Sequence, residues 1–88
     1  MAIPHKLAAN FVATEVDHEL LIVDLDGGLL FSLEGTAREV WHAIDGVASE
    51  AEIASRMASA HEGDSSAIAA DVHELLGEMA DVALIGFG

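Results

Sequence analysis

The chain has 88 residues and a formal net charge of −13 at pH 7, because 16 acidic residues stand against three lysines and arginines. This length allows one small domain, and a hydrophobic content of 52% excludes an intrinsically disordered protein. The acidic balance opposes binding to nucleic acid or to anionic membranes. The sequence has no cysteine, no apolar run near the ~20 residues of a membrane span and no signal-peptide pattern, so we expect a cytoplasmic protein.

The first nine residues lack a hydrophobic period and contain the only proline, Pro4. They are predicted to form a flexible N-terminal arm over residues 1–9. The remaining residues, 10–88, are predicted to form a single domain.

Three strands are predicted after the arm, over residues 11–16, 20–25 and 29–33. The polar pair Asp17-His18 joins the first two strands, and Asp26-Gly27-Gly28 is a strong turn signal before the third. A three-residue turn there would place all the inward apolar side chains on one face, with these opposed pairs: Leu25 and Leu29, Val23 and Phe31, and Leu21 and Leu33.

Three helices follow, because the hydrophobic period changes to 3.6 after the third strand. The first is predicted over about residues 36–45, with a capping box of Thr36 and Glu39, a closing Gly46 and an apolar stripe of Ala37, Val40, Trp41 and Ile44. Ser49 and Glu52 form a second capping box, for a helix ending near Ala60 with an apolar side of Ile53, Met57 and Ala60.

The third helix is capped by Asp64 or Ser65 and ends near Asp81. Its apolar stripe consists of Ile68, Val72, Leu75, Leu76 and Met79. The apolar tail from Val82 to Phe87 either closes the chain or adds an edge strand. The predicted fold is therefore α+β and winged-helix-like, a three-stranded antiparallel sheet followed by three helices, with Trp41 in the core.

No catalytic signature is found in the sequence. The five histidines are scattered without metal-ligand spacing, and a domain of this size offers little room for the desolvated cleft that catalytic carboxylates need. We therefore expect no enzyme, no catalytic or metal-ligating residues and no cofactor. A small metal-dependent enzyme is the least favoured alternative.

The run from Leu21 to Leu33, Leu-Ile-Val-Asp-Leu-Asp-Gly-Gly-Leu-Leu-Phe-Ser-Leu, followed by Val40-Trp41 and Asp45-Gly46, resembles the PqqD-like family. These are the leader-recognition domains of ribosomally synthesised, post-translationally modified peptides. The resemblance extends over about residues 10–86 and continues through later pairs and triplets: Ile53-Ala54, Ala70-Asp71-Val72, Leu75-Leu76 and Ala83-Leu84-Ile85. The chain has Leu30 and Glu34 where family members often carry Tyr and Asn.

The resemblance implies a non-catalytic peptide chaperone that binds the leader as an added strand and presents it to a modifying enzyme. That enzyme would be a leader protease with a cyclase in a lasso-peptide pathway, or a radical SAM enzyme in a pathway to the quinone cofactor PQQ. The implied binding residues on the third strand are Leu29, Leu30, Phe31, Ser32 and Leu33, and those on the third helix are Asp71, Val72 and Leu75.

Glu78 joins this set by helix geometry, because Asp71, Leu75 and Glu78 recur at i, i+4 and i+7 along one border of the third helix. Two carboxylates beside a leucine suit a leader with a hydrophobic anchor and a Lys or Arg. The alternative is that Asp71 caps the helix or forms a local ion pair while Leu75 is simply buried.

A different functional class is also open, a winged-helix transcriptional regulator or another protein-interaction module. A DNA-binding member would carry Lys and Arg on its second or third helix, where this chain has only Arg56.

Overall fold

The structure is a computed structural model that describes residues 3–88, with five strands, three α-helices and a short 3₁₀ turn in that part of the chain. The bounds of the strands are Pro4–Lys6 (β1), Phe11–Val16 (β2), Glu19–Asp24 (β3), Leu30–Leu33 (β4) and Ile85–Phe87 (β5). The helices are Gly35–Ala43 (α1), Glu50–Ala60 (α2) and Ser65–Asp81 (α3), and the 3₁₀ turn is Ala8–Asn10.

The three predicted strands form one antiparallel sheet in the order β2-β3-β4. The β2–β3 hairpin closes through Asp17 and His18, and Asp17 has a positive φ of 57°. A tight two-residue turn of this kind requires a left-handed backbone, which aspartate tolerates better than most residues. The three-stranded antiparallel sheet, predicted from apolar segments between turn signals, is confirmed.

The predicted register of β3 against β4 is wrong by one residue. Leu20 lies opposite Leu33 and Ile22 opposite Phe31, so Leu20 and Ile22 are buried while Val23 is exposed. The reason is a longer turn, closed at Asp24, whose main-chain N–H donates to the Leu29 carbonyl at 2.8 Å.

Asp24 also fixes that turn with its side chain. Its two carboxylate oxygens accept hydrogen bonds from the N–H groups of Asp26 and Gly27, each at 3.1 Å. This local bonding extends the loop to residues 25–28. Because side chains alternate between the faces of a strand, the one-residue slip turns Leu21 and Val23 outward.

The helix predictions hold in outline, with one wrong cap. Helix α1 begins at Gly35 after Glu34, which makes no side-chain capping bond, so the predicted Thr36 box is absent. The predicted box at Ser49 and Glu52 is present at the start of α2, and Asp64 caps α3 by accepting from the Ser66 N–H. The apolar stripes face the core, except that the small side chain at the end of α2, Ala60, is exposed.

The segment expected to be a flexible arm contains regular structure. Strand β1 pairs antiparallel with β5, so the two ends of the chain form a separate two-stranded sheet. Asn10 reinforces this link by donating from Nδ2 to the Ala83 carbonyl at 3.0 Å. The tail thus pairs with the N-terminal segment and not with the main sheet. Met1 and Ala2, which belong to the same predicted arm, lie outside the described residues.

Trp41 belongs to the buried core and is only 3% exposed. Phe11 packs edge-on against its ring at a centroid distance of 5.1 Å, and the Lys6 Nζ lies 4.8 Å from the ring centroid. Burial lowers the pKa of Lys6, and Asp45 opposes that effect. The predicted burial of Trp41 is therefore confirmed, and its ring also contacts one residue each of β2 and of the N-terminal strand.

The stability of the fold is expected to depend on pH because of two carboxylates outside the core, those of Glu15 and Asp45. Arg38 donates to Glu15 at 2.6 Å and, with His42, holds the pKa of Glu15 below its ordinary 4.5. The N–H groups of Ala48 and Val47 hold the pKa of Asp45 below 3.8.

The carboxyl groups of Glu15 and Asp45 bind protons more weakly in the folded chain than in the unfolded chain. The ionised carboxylates therefore stabilise the fold at pH values above their ordinary pKa. This stabilisation is lost as the pH falls through the lowered pKa values. We expect the melting temperature to fall on acidification below about 4.5 and Glu15→Gln to flatten part of the slope. Circular-dichroism melts against pH check this, with the exposed Glu62→Gln as control; equal slopes for the two variants would contradict it.

Candidate functional site

The outer edge of β4 offers unpaired main-chain groups. Asp24 and Leu29 form a hydrogen-bonded pair at the end of the β3–β4 hairpin. Bonded and non-bonded pairs alternate in an antiparallel ladder, so Phe31 and Leu33 direct their N–H and C=O groups to β3. The N–H and C=O groups of Leu30 and Ser32 consequently point away from the sheet. Among the described residues no strand pairs with this side of β4.

An apolar pocket of about 180 Å³ lies between β4 and α3. Phe31 and Leu33 form its sheet side, since the corrected register turns both side chains inward. Its other lining residues come from α3 and the segment after it: Leu75, Glu78, Met79, Val82 and Leu84. The pocket thus runs beside the strand whose edge is open.

A second opening, of about 330 Å³, adjoins the apolar pocket and shares Leu75 and Glu78 with it. Its other lining residues lie at the end of β4, at the start of α1 and on α3: Glu34, Thr36, Ala37, Asp71 and Glu74. Four of the seven lining side chains are therefore carboxylates. Together the apolar pocket and the acidic opening form one groove along α3, which we call the β4–α3 groove.

Most of the sequence-predicted site residues border this groove or its edge. Phe31, Leu33, Leu75, Glu78 and Asp71 line its two openings, and Ser32 lies on the free edge. Leu30 also lies on the free edge through its main chain, although its side chain is 64% exposed on the outer face of the sheet. The remaining two are placed differently: Leu29 directly precedes β4, and Val72 is fully buried.

Val72 is therefore a correction to the predicted binding set. Its side chain is 0% exposed because it faces the core from α3, and it lines neither opening of the groove. Leu75, three positions further on, remains half-buried at the groove surface. The adjacent pair Asp71-Val72 on α3 thus combines one surface residue with one core residue.

Sequence reasoning missed Met79, Glu74 and Glu34. Met79 follows Leu75 by four residues and Glu74 precedes Glu78 by four, so the helical period could have found both. No periodicity predicts Glu34 as a site residue, because it lies beside α3 only through the turn from β4 into α1.

Asp71 does not take the local roles that were the alternative. The N-cap of α3 is Asp64, and no ion pair of Asp71 occurs within the described part of the chain. The histidines that do form pairs join other elements: His42 contacts Glu15, His61 contacts Glu39 and His73 contacts Glu50. Asp71 thus keeps a free carboxylate in the groove.

Among residues 3–88, no group of three or more His, Cys, Asp and Glu side chains converges in a geometry that could hold a metal ion. In the same residues no helix is long and apolar enough to cross a membrane.

Comparison with solved structures shows the same fold in two chains. The first, "TbiB1 in Complex with the TbiA(beta) Leader Peptide", has a TM-score of 0.81 and 20% identity, covering 91% of this chain and 93% of its own. The second, "Lasso peptide synthetase B1 complexed with the leader peptide", has a TM-score of 0.78 and 17% identity, with coverages of 88% and 91%. The predicted α+β fold, a three-stranded antiparallel sheet followed by three helices, is thereby confirmed.

Comparison with curated protein sequences gives no match. A protein-family model does match, over residues 19–85, and this segment contains β3, β4, all three helices and both sides of the β4–α3 groove. The matched family is described as coenzyme PQQ synthesis protein D. Because the match extends over most of the sequence, the chain belongs to the PqqD family.

Proposed function

We propose that this protein is a non-catalytic chaperone that binds the leader of a ribosomally made precursor peptide and presents it to a modifying enzyme. The observation that carries the proposal is the free edge of β4 beside the β4–α3 groove. Outward main-chain groups of Leu30 and Ser32 would supply the hydrogen bonds, and the pocket formed by Phe31, Leu33 and Leu75 would take a leader side chain.

The comparisons support this proposal in two ways. Membership of the PqqD family points to peptide-derived biosynthesis. Both solved structures with the same fold are, by their own descriptions, complexes with a leader peptide. A shared fold alone does not carry function, so the open edge and groove of this chain are needed as evidence from its own residues.

Strand addition would be antiparallel in our proposal, as in the existing sheet, where β4 already pairs antiparallel with β3. Main-chain bonds of this kind are tolerant of sequence, whereas pockets for alternate side chains provide selectivity. The partner enzyme is a leader protease and cyclase or a radical SAM enzyme, and its reaction needs no catalytic group or cofactor from this chain.

A role as a DNA-binding regulator has less support from the structure. Arg56 is the only Lys or Arg on α2 and α3, and Arg38 of α1 is engaged with Glu15. With a net charge of −13, the surface cannot neutralise a phosphate backbone.

Hydrogen exchange in the presence of a synthetic leader peptide from a candidate ribosomal precursor of the same organism tests the proposal. Before addition, the outward amides of Leu30 and Ser32 should exchange quickly, since no described strand covers them. On addition of the leader, both amides should become protected because they enter a new ladder. The outward amides of Ala13 and Glu15 on the opposite edge, β2, serve as the control and should not change.

Nuclear magnetic resonance can follow these amides individually, and calorimetry can measure the affinity in the same sample. Binding without protection at Leu30 and Ser32 would contradict strand addition at β4. Protection of Ala13 and Glu15 instead would place the leader on the other edge of the sheet.

A further inference from the structure

We infer that the β4–α3 groove selects a peptide in which a Lys or Arg precedes a large apolar residue. The inference rests on the proposed leader-binding function and adds the chemical class of the ligand. It depends on the two adjoining openings, one apolar and one lined by carboxylates, that share Leu75 and Glu78.

The apolar pocket accommodates one large side chain. Its volume of about 180 Å³ is close to the ~150 Å³ of an apolar cavity that binds benzene in another protein. The lining is apolar except for Glu78 at its border with the acidic opening. A leucine, methionine or aromatic side chain would fill the pocket and displace water from Phe31 and Met79.

The acidic opening brings four carboxylates together, and no cationic side chain is among its lining residues. Glu74 and Glu78 are four residues apart on α3, and Asp71 precedes Glu74 by three, spacings at which like charges destabilise a helix. None of these three residues, nor Glu34, forms an ion pair within residues 3–88. A cationic ligand would relieve this repulsion.

The chemistry of the opening favours a long cationic side chain over other partners. The carboxylates surround about 330 Å³ and do not converge in a metal-binding geometry within the described residues. The stem of Lys or Arg can lie along Leu75 while its charge reaches the carboxylates. A second copy of this chain would bring another net charge of −13 to the same surface, which opposes self-association.

The order of the two ligand side chains follows from the position of the openings along β4. Phe31 and Leu33 line the apolar pocket, whereas Glu34, directly after the strand, lines the acidic opening. An antiparallel ligand has its N-terminal part beside the end of β4. The cationic residue should therefore precede the apolar residue by two or four positions, which puts both on one face at ~3.3 Å per residue.

A selection from a displayed library of random peptides of about twelve residues tests the inference, since that length spans β4 and both openings. Binders should be enriched in Lys or Arg two or four residues before a large apolar residue. Higher salt should weaken their binding. A triple variant, Asp71→Asn with Glu74→Gln and Glu78→Gln, should lose about 3- to 10-fold in affinity.

The triple variant should also melt at or above the temperature of the parent, because neutralisation removes repulsion on α3. Asp26→Asn is the matched control, since it removes an exposed carboxylate from the turn at the other end of β4. Its affinity for the selected peptides should equal that of the parent.

Two results would overturn the inference and are distinguishable. If Ser32→Pro weakens binding, but the selected peptides lack the cation and bind the triple variant as tightly as the parent, the selectivity is wrong and the proposed function stands. If the library gives no binder that is sensitive to Ser32→Pro, strand addition at β4 fails, and the inference fails with it.

Discussion

Replacing Trp41 with alanine is expected to unfold much of the protein. Trp41 is 3% exposed and its ring contacts Phe11 from β2 and Lys6 from β1, so its removal leaves a large cavity in the core. Truncation of a buried tryptophan costs about 3–5 kcal/mol, and the total stability of a domain is about 5–15 kcal/mol. Circular dichroism and a thermal melt should show a loss of helix or a large fall in melting temperature.

Val47→Ala is the control for this experiment, because Val47 is 76% exposed and its truncation should leave the melt almost unchanged. Trp41→Phe should recover part of the stability by filling part of the site. A Trp41→Ala variant that melts like the parent would mean that this ring is not part of the stabilising core.

Ser32→Pro is expected to weaken leader binding about 10- to 100-fold while the domain stays folded. The Ser32 N–H points to the open edge, so proline removes a donor that the leader would use and leaves the main-chain bonds between β3 and β4 intact. One lost hydrogen bond contributes about 0.5–1.5 kcal/mol, and the proline ring also obstructs the approach of a strand. Calorimetric titration with the leader, together with a thermal melt, measures both effects.

Two controls separate the causes of this loss. Ser32→Ala removes the side-chain hydrogen bond to Glu19 but keeps the N–H, so it should bind the leader like the parent. Ala13→Pro places a proline at an outward position on the other edge, β2, and should also leave binding unchanged. If folded Ser32→Pro binds the leader with unchanged affinity, the leader uses another surface.

The order and type of the elements were predictable because local sequence specifies them. The apolar run of β3 between two turn signals selects a strand, and the 3.6 period of α3 selects a helix with one buried side. The caps at Ser49 and Asp64 were recognisable because capping bonds join residues only two or three positions apart. Burial of Trp41 followed from its place in an apolar stripe.

The hydrophobic pattern of β3 was insufficient to determine its register against β4. Both faces of β3 carry apolar residues, so the hydrophobic pattern could not choose between Leu20 with Ile22 and Leu21 with Val23. The choice depended on how many residues the Asp24 turn encloses. The same register determines which main-chain groups of β4 face outward, and therefore where a strand can be added.

The sequence by itself determined the class of fold, the three helices, the open third strand and the charged border of Asp71 and Glu78. Only the tertiary structure decided that Pro4–Lys6 pairs with Ile85–Phe87 and that Glu34 joins the carboxylates of α3. These contacts link residues far apart in the chain, and their formation depends on packing around a shared core. Periodicity describes which side of each element is buried, whereas the groove depends on how two such elements lie beside each other.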